Sequence, residues 1–140
     1  MSPFDWRSVV LARHAQHVVL IHFPIALFIT GVMFDIAGFA RKQSQLGQVA
    51  FYNFCAAAVS TVPAMATGLI AWQWALEGQL LKDTLLLLHL ICGIAASVLI
   101  WAVSLLTWRV LSRGASRRIV LFRFVLEILA VGLLGLAGDR

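Results

Sequence analysis

From Gln43 to Leu76 the chain carries no formal charge, and a second such stretch runs from Thr84 to Trp108. Runs of this kind match the hydrocarbon core of a bilayer, which a helix crosses with about twenty apolar residues at ~1.5 Å of rise each. Two further runs are nearly as apolar. One, from about Gln16 to Ala40, contains a single acid, Asp35. The other, from about Arg118 to Ala137, is interrupted only by Arg123 and Glu127. In lipid every backbone N–H and C=O must be satisfied internally, and continuous apolar runs of this length do so as helices. The expected fold is all-α: four transmembrane helices in an up-down bundle. The expected spans are about 16–40, 49–74, 84–108 and 118–137, within a single membrane domain over residues 1–140.

Composition agrees. The chain has 140 residues, 61% hydrophobic and 12% charged, about half the charged share of a soluble domain. Disorder, a collagenous chain and a disulfide scaffold are excluded. The net charge of +5 raises the question of nucleic acid, but the positions of the cations answer it. Arg41 with Lys42, and Arg109 with Arg113, Arg117 and Arg118, sit between apolar runs, as in cytoplasmic loops. No nucleic-acid partner is expected. Arg7, Arg13, Lys82 and Arg140 lie on the opposite side, so the bias places both termini outside, periplasmic in a bacterial inner membrane. Trp6, Trp72 and Trp74 then belt the outer face and Trp108 the inner one.

The N-terminal run is too long for a cleavable signal peptide. Ser2-Pro3-Phe4-Asp5 reads as a helix start, and Phe4, Trp6, Val9 and Val10 can lay a short interfacial helix over residues 1–15. Cys55 and Cys92 fall inside apolar runs near opposite membrane faces, so no disulfide is expected. Ala64 with Gly68, and Gly93 with Ser97, have the small-xxx-small spacing of closely approaching helices.

The candidates for chemistry are few. His22 and His89 lie roughly 8–9 Å below the same face, about six and five residues into the first and third spans. Those helices are diagonal partners in an up-down bundle, so both rings can face the core. Two neutral imidazoles suit a bis-histidine haem b or a transition-metal site. Gly93, one turn beyond His89, gives room, and Pro24 shapes the helix beside His22. The alternative is that each histidine simply hydrogen-bonds to another helix. His14 and His17 share a helix face and form a weaker metal pair, while His22 points about 140° away from His17. Pro63 lies mid-span, which membrane helices tolerate.

Asp35 and Asn53 stand at comparable depth, and an Asp35–Asn53 hydrogen bond is expected. Arg123 and Glu127 are spaced i, i+4 and read as a charge pair facing the bundle. Glu127, near mid-membrane, is the acid that most needs a partner or a proton. With no nucleophile–base pair, no phosphate loop and only short loops, the chain is not expected to be an enzyme on its own.

Certain motifs carry a resemblance. His17-Val18-Val19-Leu20-Ile21-His22-Phe23-Pro24-Ile25-Ala26-Leu27, then Phe34-Asp35-Ile36-Ala37-Gly38, resemble the opening of a bacterial membrane family named domain of unknown function 2231. Pro63-Ala64-Met65-Ala66-Thr67-Gly68-Leu69-Ile70-Ala71-Trp72 is similar to that family's second-helix motif, and His89 falls where the family places a third-helix histidine. Val18 stands in place of the usual proline, and Asp139 lies where a polar ending, often histidine, is expected before a Gly-Gly stretch. The likeness covers about Gln16 to Trp108. Related domains are fused to Rieske or cytochrome-type modules, so the resemblance implies redox work. The resulting expectation is a small membrane subunit holding haem b through His22 and His89, with Pro24, Gly93 and Trp72 around the cofactor. It would pass electrons between a quinone or redox protein and a periplasmic carrier, alone, in a complex or as a homo-oligomer. The alternative is a cofactor-free structural or assembly subunit.

Overall fold

The computed structural model describes residues 13–75 and 84–138. They form four helices: α1 (Arg13–Arg41), α2 (Ser44–Ala75), α3 (Thr84–Arg113) and α4 (Arg117–Gly138). Within them Gln16–Arg41, Ser44–Gln73, Thr84–Arg113 and Arg117–Ala137 are each long and apolar enough to cross a membrane. The all-α, four-span fold expected from the sequence is the fold observed. Helix α2 starts at Ser44 rather than Val49, and α3 continues past Trp108 to Arg113. The added turns carry Gln45, Gln48, Arg109 and Ser112, long or polar side chains that can reach the headgroups from a helix end. The expected interfacial helix over residues 1–15 lies outside the described residues, except that α1 begins at Arg13.

Two short turns fix the antiparallel order. Lys42 has φ 55° and ends α1 as a Schellman motif: its N–H donates to Phe39 O (3.4 Å) and that of Gln43 to Gly38 O (3.0 Å). Gly114, with φ +69°, ends α3 with one bond from its N–H to Val110 O (3.0 Å). A lysine held in the left-handed region is strained where glycine is not. Lys42→Gly should therefore raise stability by about 0.5–1 kcal/mol, read from thermal unfolding of the protein in detergent.

Side-chain size and polarity, more than hydrophobicity, define the inward faces. On α1 the buried positions are Pro24, Phe28, Gly31, Asp35 and Gly38, and on α2 a stripe of Ala50, Phe54, Ala57, Thr61, Ala64 and Ala71 is buried, with Ala58 beside it. Both alternate three- and four-residue steps, the spacing of helices packed with a shallow left-handed crossing. Helix α1 packs chiefly on α2, and α3 on α4, while α2–α3 contact joins the two pairs. The core is Phe28, Ala50, Phe54, Ala57, Ala58, Ile100, Val103 and Ala130. Phe54 lies so close to Gly31 that a Cβ there would stand 2.7 Å from its ring, and one at Gly38 would meet the Gly47 backbone at 3.1 Å. Between lipid-soluble surfaces, close packing of this kind is what holds helices together. Thr61 adds a polar tie, accepting from Trp101 Nε1 at 3.3 Å. Outward, large apolar side chains such as Phe23, Met33, Tyr52, Val98 and Ile128 are exposed, as a lipid-facing surface requires.

Candidate functional site

Polar side chains collect at two depths. The first lies where α1 and α3 begin and α2 and α4 end. His17, on the inward stripe of α1 one heptad before Pro24, places Nδ1 3.1 Å from Ala64 O and 3.3 Å from Thr67 Oγ1. Its ring lies close against α2 because residue 68 is glycine: a Cβ there would be 2.9 Å from His17 Cε1. Thr67 itself donates to Pro63 O (2.8 Å) and Ala64 O (3.0 Å). Across the bundle, His89 Nδ1 is 3.1 Å from Ala137 O on α4. The two rings meet edge to face, with centroids 6.4 Å apart and planes at 83°. A carbonyl only accepts, so each Nδ1 is the donor, and in the neutral ring Nε2 then carries the lone pair. Metal-binding imidazoles are commonly oriented in this way.

His22 takes a different place. Its ring is on the exposed side of α1, and Nδ1 donates to Val18 O at 2.6 Å, within its own helix. The imidazole that α1 brings to His89 is therefore His17. The inward stripe already pointed there: stepping back from Gly38 through Asp35, Gly31, Phe28 and Pro24 reaches residue 17, not residue 22. Pro24 is buried inside α1. A Cβ at Gly93 would meet nothing within 4 Å, so this glycine adjoins open space rather than a neighbouring helix, and Ser97 bonds back to its carbonyl (2.8 Å). Trp72, one turn beyond Gly68, has a buried Nε1 with no hydrogen-bond partner. The side chains of His14 and Trp74, and all of Trp6, lie outside the described residues.

These residues can be tested against the cofactors expected from the sequence. Among the described residues no three His, Cys, Asp or Glu side chains gather around a metal position. Two imidazoles are too few for a bare zinc ion, which takes three or four protein ligands. Two imidazoles are instead a ligand set that would hold a haem iron. The open side of Gly93 and the unpaired Trp72 N–H also fit a bulky group with an acidic edge.

The second polar site lies deeper. Arg123 Nη2 donates to Asp35 Oδ2 at 2.5 Å, and Arg123 Nε stands 3.4 Å from Glu127 Oε1. All three residues are buried, at 4% exposure for Asp35, 5% for Arg123 and 1% for Glu127. The expected Arg123–Glu127 pair is present. The Asp35–Asn53 bond is not: Asn53 Nδ2 donates to Val49 O in its own helix (2.9 Å), and Asp35 crosses to α4. Arginine wins because a charge-assisted bond to a buried carboxylate outweighs a neutral amide. Phe39 and Phe124 meet edge to face, with centroids 5.4 Å apart. Cys55 and Cys92 are both free thiols.

Comparison with known proteins gives one match: the profile of a family of predicted membrane proteins, DUF2231, covers residues 13–140. Neither the curated proteins nor the solved structures contain a match.

Proposed function

The chain belongs to the DUF2231 family of predicted membrane proteins, and we propose that it is a small redox-linked membrane subunit holding haem b between His17 and His89. The observation that carries this reading is the pair of imidazoles from diagonal helices, 6.4 Å between centroids, each with Nδ1 turned to a backbone carbonyl. His89 keeps the role expected from the sequence, and His17 takes the one expected of His22. Gly93 leaves room beside His89. The buried N–H of Trp72 offers a donor to a carboxylate of the cofactor. When bound, such a group supplies one-electron transfer. The residues of this chain orient the ligands, exclude water and tune the potential through the Nδ1 bonds. The subunit would sit in a bacterial inner membrane with both termini periplasmic, between a quinone or redox protein and a periplasmic carrier.

Titration of the detergent-purified protein with haemin tests this. One equivalent per chain should bind with the absorption of a six-coordinate, low-spin iron. A protein that takes up no haemin, or holds it five-coordinate, contradicts the reading.

A second reading has its own support. His17 Nδ1 ties α1 to α2 and His89 Nδ1 ties α3 to α4, as in a cofactor-free structural or assembly subunit. Interhelical hydrogen bonds in membranes contribute about 0.6–2 kcal/mol each. On this reading His17→Ala and His89→Ala each lose that much stability and change no optical spectrum.

A further inference from the structure

The deeper site contains two carboxyl groups and one guanidinium, all within the apolar spans. Asp35 and Arg123 form an ion pair at 2.5 Å. Glu127 is 1% exposed, and neither of its oxygens has a hydrogen-bond partner. Arg123 Nε stands 3.4 Å from Glu127 Oε1 and is itself without a hydrogen bond. With every group ionised, the cluster would carry one uncompensated negative charge in the membrane interior, a state of very high energy.

Among the described residues no other buried charge corrects the balance. Among them Asp35, Arg123 and Glu127 are the buried charged side chains; the other buried polar side chains are Thr61, Ser104 and Thr107. Each of those hydroxyls donates to a carbonyl of its own helix, Ala58 O, Ile100 O and Val103 O. Asn53 on α2 likewise bonds to Val49 O. Helices α1 and α4 supply all the charge, and α2 and α3 supply none.

We propose that Asp35, Arg123 and Glu127 form a binding site for a single proton, carried on Glu127 and held opposite the Asp35–Arg123 ion pair. The proton makes the cluster neutral and gives the unpartnered carboxyl group a donor. The site lies roughly 9–15 Å from the arginine-rich end, counting the six residues from Asp35 to Arg41 and the ten from Arg117 to Glu127 at ~1.5 Å per residue. A proton bound there stands near mid-bilayer. This proposal is independent of haem, since it rests on residues at another depth.

Infrared absorption of lipid-reconstituted protein at neutral pH, in H2O and D2O, tests it. The full-length chain should show a carboxylic-acid carbonyl band that shifts down in D2O. Glu127→Gln should remove it by removing the group. Asp35→Asn should also remove it, because Arg123 is then left to neutralise an ionised Glu127. Both replacements are nearly isosteric, and folding is checked by helical circular dichroism. Absence of the band in the parent protein overturns the proposal. So does a band that survives in either variant. A band present in choline chloride and lost in sodium chloride would assign the site to an alkali cation instead.

Discussion

Replacing Arg123 by leucine should lower the stability of the bundle by about 3–5 kcal/mol, the usual cost of removing one partner from a buried charge cluster. The side chain bonds to Asp35 on α1 and lies beside Glu127 on its own helix. Without it, two carboxyl groups face each other with no cation, and the direct polar tie between α1 and α4 is lost. Contact between those two helices is otherwise slight, so few other interactions can compensate. Glu127→Gln should differ from the parent by about 1 kcal/mol or less, since the Asp35–Arg123 pair persists. Unfolding in mixed micelles, followed by circular dichroism, gives both values. Equal losses in the two variants would mean that Arg123 acts through packing rather than charge.

The second large effect concerns a close approach of α1 to α2. Gly31→Val should cost about 3 kcal/mol, the upper range for overpacking a filled core. Even a single Cβ there would lie 2.7 Å from the Phe54 ring and 3.2 Å from Asn53 Cβ. Phe54 is fully buried and cannot swing into lipid. Shortening the obstacle should recover part of the loss: Gly31→Ala with Phe54→Leu should be more stable than the sum of the single changes by about 1 kcal/mol. Gly132 is the control. A Cβ there meets nothing within 4 Å, so Gly132→Ala should stabilise α4 by up to ~1 kcal/mol through helix propensity. A loss at Gly132 as large as that at Gly31 would show that both act through the backbone.

The fold was legible because lipid leaves few choices. Uncharged runs such as 43–76 can only span, and the charges at Arg41–Lys42 and Arg109–Arg118 mark where spans end. Facing was harder to read. In a soluble helix the inward side is apolar and the outward side polar; here both are apolar, and that contrast disappears. The remaining signal is size. Gly31 and Gly38 on α1 stand seven residues apart, as do successive members of Ala50, Ala57, Ala64 and Ala71 on α2, with Gly68 between the last two. The small-xxx-small spacing at Ala64–Gly68 and Gly93–Ser97 is an imperfect guide, since Gly93 borders open space.

The same stripe decides the functional residues. Depth alone paired His22 with His89, because both lie one to two turns inside their spans. Rotation about the helix axis separates them: His17 shares the face of Pro24, Phe28 and Asp35, while His22 is turned about 140° from it. Asp35 was paired with Asn53 by depth in the same way, and the face it shares with Gly31 and Gly38 instead brings it to Arg123. Depth follows from counting residues along one segment, whereas facing depends on which helices are neighbours. The sequence reports the second only through a residue such as Gly68, whose missing side chain records where His17 sits.

A reduced-minus-oxidised spectrum of the protein purified from cells given haem precursor, compared with those of three histidine variants, is the most direct test of the proposed site. The parent protein and His22→Ala should both show the Soret and α bands of haem b, and His17→Ala and His89→Ala should each lose them. A colourless parent protein, or bands that vanish in His22→Ala and persist in His17→Ala, would contradict the assignment of His17 and His89 as a haem-binding pair.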